Sequence, residues 1–114
     1  MGAGYHGGFG KTKGAGKSIL YAKSKETALI QKKLLPLKIR TSYIKYVKNS
    51  TTSKYIDYRV SRTDIGYLYQ SKKPGDVPGS YAVYYKEVDL NGQTIRVYKD
   101  TYDNNGILVY RKYK

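Results

Sequence analysis

Through the C-terminal half of the chain, apolar and polar residues alternate with a period of two. Ile56, Tyr58 and Val60 alternate with Asp57 and Arg59, and Ile65, Tyr67 and Tyr69 repeat the pattern. That period sends successive side chains to opposite faces of a strand. Lys72 to Gly79 then forms a loop holding two prolines and two glycines. Three further alternating runs follow, roughly Tyr81–Val88, Thr94–Thr101 and Ile107–Lys112. Asn91-Gly92 and Asn105-Gly106 join them and supply the positive φ that tight hairpins need. The expected product is an antiparallel meander.

The N-terminal half reads differently. Ile19–Ala22 is a short apolar run. Ser24 then offers an N-cap, and Glu26 stands in the first turn, where the helix dipole favours an anion. Ala28, Leu29, Lys32 and Leu35 follow at helical spacing, widened by Ile30 and Leu34, and Pro36 stops the run. The pattern therefore predicts a helix over Lys25–Leu35. Residues 38–48 support two readings: Ile39, Tyr43, Tyr46 and Val47 fit a helical period, while the β-branched and aromatic content favours a strand. Asn49–Ser53 is polar loop. The expected fold class is α+β, with one or more N-terminal helices packed on a four- to five-stranded antiparallel sheet that ends in a β-meander.

Residues 1–18 hold most of the chain's 12 glycines, and such sequence cannot bury enough surface to order itself, so they are read as a flexible leader. Residues 19–114 are then one domain of modest core. There is no cysteine, which excludes disulfides and thiolate metal sites, and no apolar run long enough to span a membrane. The N-terminus lacks a charged-then-apolar signal pattern, so export would be directed from outside this sequence.

Charge changes the picture most. The formal net charge is +14 on 114 residues. Residues 1–50 carry 11 basic residues and one acid, Glu26; residues 51–114 carry 11 basic residues and 7 acids. Such an excess repels itself on folding and attracts polyanions: nucleic acid, an anionic membrane face or an acidic protein. The 15 tyrosines suit a half-wet sheet face and can also stack bases.

Several motifs are set aside on physical grounds. Gly16-Lys17-Ser18 ends like a phosphate-binding loop, but the required earlier glycine falls on Lys11. His6, the only histidine, stands among glycines with no scaffold to position it. Glu87/Asp89 and Asp100/Asp103 are close acidic pairs, yet both flank hairpin turns, where Asp is a turn former. No metal site and no cofactor is implied.

The basic residues in or beside the strands are the candidate site. An unbroken strand sends Arg96 and Lys99 to opposite faces; Lys86, Arg96 and Arg111 share a face if the registers allow. Against this stands a solvated strand face with cross-strand pairs to Asp or Glu, although acids are too few to pair every cation. If the polyanion is RNA, metal-independent cleavage needs a base for the 2′ proton, cations for the phosphorane and an acid for the leaving 5′-oxygen. Lys86 or Lys99 is the candidate base, and Arg96 and Arg59 the candidate phosphorane ligands. Tyr84, Tyr102 or Arg111 would assist the leaving group or stack a base. The candidate catalytic set is thus Lys86, Arg96, Lys99, Tyr102 and Arg111; Arg59, Arg62, Lys72, Lys73, Tyr84, Thr101 and Lys112 are candidates for nucleic-acid contact.

The string GAGYHGGFGKTKGAGKS resembles a junction that precedes exchangeable C-terminal toxin domains in polymorphic toxin systems of Gram-positive bacteria, prophage-borne versions included. The stretch DIGYLYQSKKPGDVPGSYAVYYKEVDLNGQTIRVYKDTYDNNGILVYRKYK resembles the end of small nuclease toxins in the group joining barnase, EndoU, colicin D and RelE, the BECR fold. The resemblance implies a helical part followed by a four-stranded antiparallel sheet. It also implies ribonuclease activity on RNA (tRNA among the options) and neutralisation by an acidic immunity protein. Delivery would be as the C-terminal part of a larger protein that acts in the cytoplasm of a target cell. Many members place a histidine near the sheet; here Tyr110 stands in the final strand instead, which points to a RelE-like set of Lys, Arg and Tyr or to an inactive form. Three rivals remain open: a non-catalytic binding module for RNA or DNA, an interaction domain that only engages an acidic partner, and a membrane-surface role for the basic amphipathic segment 25–35.

Overall fold

The local signals at the N-terminal end of the domain act as the sequence predicts. In the computed structural model, which describes residues 17–50 and 57–114, Ser24 caps helix α1 (Lys25–Gln31) by accepting the Thr27 N–H at 3.1 Å. The helix tightens into one 3₁₀ turn, Lys32–Leu34, and Leu35 turns extended ahead of Pro36. Arg40 Nη2 then donates to the Leu35 carbonyl at 3.2 Å, satisfying an orphan acceptor at that helix end.

The ambiguous stretch resolves as helix α2, Leu37–Asn49. Its buried residues are Ile39, Tyr43 and Val47, spaced by four, so the helical period outweighs β propensity once a sheet is available to cover that stripe. Three tyrosine hydroxyls pin the helix. Tyr69 donates to the Ile39 carbonyl at 3.2 Å, Tyr58 meets Ser50 Oγ at 2.7 Å, and Tyr46 donates to the Tyr84 carbonyl at 2.6 Å.

The sheet has six strands, one more than the upper expectation: β1 Lys17–Ala22, β2 Asp57–Arg62, β3 Gly66–Pro74, β4 Tyr81–Asp89, β5 Thr94–Tyr102 and β6 Leu108–Tyr113. Every neighbouring pair is antiparallel, in the order β1-β2-β3-β4-β5-β6. The unexpected strand is β1. Its apolar run is too short to classify alone, and its partner β2 lies beyond both helices. Lys17 and Ser18, read as the end of the leader, belong to β1 and oppose Arg62 and Ser61. A phosphate loop would need a helix to open there. Residues 1–16, His6 among them, and residues 51–56 lie outside the described residues.

Both meander turns are built alike. Asp89 Oδ1 accepts the N–H groups of Asn91 and Gln93, and Asp103 Oδ1 accepts those of Asn105 and Ile107. Gly92 and Gly106 take the left-handed position at φ 82° and 77°.

Register then assigns the faces. On the helix side lie Ala22, Tyr58, Val60, Tyr67, Tyr69 and Val88, packed with the helical stripe. On the far side Leu68, Tyr81, Val83, Tyr85, Tyr98 and Tyr102 form a second cluster with no helix over it. Its rings stack across register pairs: Tyr81 on Tyr102 with centroids 4.9 Å apart, Tyr85 on Tyr98 at 4.5 Å. Covered on both faces, β3 buries every residue from Gly66 to Ser71.

Candidate nucleic-acid interface

The hairpin registers gather the strand carboxylates on one face of the sheet. Glu87 opposes Arg96 and Asp100 opposes Arg111, all on the far face, where Asp57 also lies opposite Lys72. The helix face of the same strands carries Lys86 opposite Val97, Tyr84 opposite Lys99, and Lys99 opposite Lys112. All eight acidic side chains fall within the described residues. Glu26 stands in the first turn of α1, Asp64, Asp76 and Asp103 stand in turns and loops, and Asp89 ends β4 on the far face, its carboxylate capping the turn that follows. The helix face of β4–β6 thus carries lysines and no side-chain carboxylate.

Helix α2 lies along this face and makes it a groove. Lys38, Thr41, Ser42, Lys45, Tyr46 and Asn49 recur at three- and four-residue spacing, forming a stripe beside the buried one. They wall two adjoining recesses of about 420 Å³ and 330 Å³. Lys86 lines both. Opposite the helix, Asn91, Gln93 and Thr94 line the first recess, while Tyr84, Val97 and Lys114 line the second. The ammonium groups of Lys99 and Lys114 each stand 5.3 Å from the centre of the Tyr84 ring. Burial, reinforced by the positive charge of Lys45, holds the Lys86 amine below the ordinary lysine range.

The five candidate catalytic residues therefore do not form one site. Lys86 and Lys99 share the groove face. Arg96, Tyr102 and Arg111 lie across the sheet. Arg96 Nε pairs with Glu87 at 3.0 Å. Arg111 binds Asp100 through two bonds of 2.6 Å and stands over the Tyr98 ring, while the Tyr102 hydroxyl reaches Asp100 Oδ2 at 3.4 Å. Asp100 is fully buried, so Arg111 neutralises it. Burial among Tyr85, Asp100 and Tyr81 pushes the Tyr102 phenol far up, which makes it a poor proton donor.

Among the candidates for nucleic-acid contact, Tyr84, Thr101 and Lys112 stand on the groove face of β4–β6, and Lys73 lies on that face at the end of β3. Arg62 is on the helix side near β1, held by the carbonyls of Thr63 and Gly66 and by the Tyr67 ring. Arg59, opposite Gln70, and Lys72, over the Tyr81 ring, face away. Lys38, Lys45, Tyr46, Gln93 and Lys114 are groove residues that sequence reasoning missed. The signal was present in the spacing of Lys38, Thr41, Lys45 and Asn49, but it is visible only once residues 38–48 are read as helix.

Among the described residues no three His, Cys, Asp or Glu side chains come together, and no helix is long and apolar enough to cross a membrane. No family model, curated protein or solved structure matches the chain.

Proposed function

We propose that this domain binds RNA in the groove between α2 and β4–β6 and cleaves it without metal, as the endoribonuclease of a delivered toxin neutralised by an acidic immunity protein. The observation that carries the reading is the cationic groove itself. Lys45, Lys86, Lys99 and Lys114 gather on one face from which every side-chain carboxylate is absent. Unneutralised charge in a concave site focuses its potential on a polyanion, and the Tyr84 ring adds a surface on which a base can stack.

In the proposed reaction the ribose 2′-oxygen attacks phosphorus. The Lys86 amine, whose pKa is lowered by burial and by the charge of Lys45, accepts the 2′ proton. Lys45 and Lys99 stabilise the charged phosphorane. The bond to the 5′-oxygen breaks, and that oxygen takes a proton from the Tyr84 hydroxyl or from water. The products are a 2′,3′-cyclic phosphate and a 5′-hydroxyl end. Arg96 and Arg111, engaged with carboxylates on the far face, have no part in it.

The test is incubation with total RNA and with plasmid DNA, each with and without EDTA, using the native chain and Lys86→Ala. EDTA-insensitive RNA cleavage that Lys86→Ala abolishes, with an unchanged melting temperature, supports the reading. Metal-dependent cutting of DNA overturns it. A second reading, binding without cleavage, is favoured by the engagement of both arginines of the catalytic set, Arg96 and Arg111, in ion pairs. Its signature is intact RNA held with steep salt dependence.

A further inference from the structure

The groove differs in chemistry from end to end. Beside the β4–β5 turn its walls are lysine, amide and hydroxyl: Lys38, Lys45, Asn91, Gln93 and Thr94. Toward the C-terminal end of α2 aromatic and apolar side chains enter the wall, Tyr46, Tyr84 and Val97 standing beside Asn49 and Lys114. Lys86 stands at the junction. We infer that the two recesses are distinct subsites for one nucleotide unit, the turn-side recess taking a phosphate and the Tyr84-side recess a nucleobase. This inference rests on the RNA reading of the groove.

Three observations support the division. Phosphate is bound by cations and by neutral donors, and an unpaired carboxylate in the same recess would oppose it; the turn-side recess offers three lysines and no carboxylate. A base needs a π-face and an amide or hydroxyl for its edge; the second recess offers Tyr84 with Asn49. Both sets of walls are also fixed before any ligand arrives. A Cβ at Gly92 would stand 2.7 Å from the Lys38 carbonyl, so the turn sits hard against α2, and Lys38 Nζ reaches Asn91 Oδ1 at 3.4 Å. At the other end the Tyr46 hydroxyl, 2.6 Å from the Tyr84 carbonyl, ties helix to strand. Walls held in this way cost little ordering entropy on binding. The first recess, at about 420 Å³, also falls within the usual range for small-ligand sites.

The experiment titrates the full chain with inorganic phosphate, with adenosine and with adenosine 5′-monophosphate while following backbone amide resonances. Phosphate is expected to shift the amides of Thr41 and Asn91–Thr94, adenosine those of Asn49, Tyr84 and Val97, and the monophosphate both groups. Lys45→Ala should weaken phosphate about tenfold and leave adenosine unchanged; Tyr84→Leu should do the reverse. Shifts spread evenly over every lysine-bearing surface, or equal losses for both ligands in each variant, overturn the division. Should Tyr84→Leu fold poorly, the shift map of the unaltered chain decides alone. Fluorescence anisotropy with a single-stranded RNA, run in parallel, separates the two failures. RNA bound without a localised phosphate site sinks only the subsites, whereas RNA not bound at all sinks the groove reading with them.

Discussion

Replacing Arg111 by Met should lower stability severely while leaving the proposed RNA cleavage intact in whatever fraction stays folded. The side chain was a catalytic candidate, and its surroundings give it a structural task. It makes two bonds of 2.6 Å to Asp100, whose side chain is wholly buried while Arg111 keeps a third of its own exposed. Met retains the stem over the Tyr98 ring but strands a carboxylate in the far cluster. Breaking a buried pair from this side costs about 3–5 kcal/mol, or a melting-temperature drop of roughly 10–20 °C for a domain of this size. The converse change is milder. Asp100→Asn keeps an acceptor, and Arg111 can swing toward water, so about 1–2 kcal/mol is expected. Replacing both, with Leu at position 100, should recover much of the loss, because a packed apolar pair serves as well as a buried ionic one. Thermal and urea denaturation at neutral pH provide the assay. If Arg111→Met melts with the native chain and loses cleavage, the ion-pair argument is wrong and Arg111 is functional.

Other consequences can be checked independently. Burial lifts the Tyr69 and Tyr98 phenols to about 12, and Tyr43, Tyr58, Tyr81 and Tyr102 are raised as well. Since these folded values exceed the unfolded one near 10, protonation favours the native state. Stability should therefore hold up to about pH 10 and fall steeply toward 12, seen as a melt that moves with phenolate absorbance; a flat profile across that window would contradict the burial. The depressed Lys86 amine should acylate faster at mildly alkaline pH than other lysines, and Lys45→Ala should slow it by raising its pKa; labelling read by peptide mass spectrometry that ranks Lys86 as ordinary would count against the site. RNA affinity should fall with salt at a slope of about −0.7 per neutralised phosphate, and Lys45→Ala with Lys99→Ala should flatten that slope, whereas Arg96→Ala should not. Gly66→Ala should prevent folding, because the added Cβ would lie 1.9 Å from the Val88 carbonyl; a normal circular dichroism melt for that variant would refute the close approach of β3 and β4.

Much of this architecture is written locally. The Ser24 cap, the Pro36 stop, the two Asp-x-Asn-Gly turns and the period-two runs each depend on a few adjacent residues, and the structure reproduces them. Even the split of the arginines was available. Folding the hairpins about Asn91-Gly92 and Asn105-Gly106 sets Arg96 against Glu87 and Asp100 against Arg111, and so sends Lys86 to the other face. Alternation by itself leaves that choice open, because a one-residue slip exchanges the faces of a whole strand.

The tertiary structure decided what no local pattern encodes. Whether residues 38–48 became helix depended on a sheet being present to bury Ile39, Tyr43 and Val47. That β1 joined the sheet depended on a partner on the far side of both helices in the chain. The groove exists because α2 crosses the lysine-bearing face, bringing Lys38 and Lys45 to strands that follow them by some forty residues or more. Composition dictated an excess of positive charge from the first; where that charge would stand unneutralised was fixed by long-range packing, since a side chain's neighbours in space are chosen only when the elements dock.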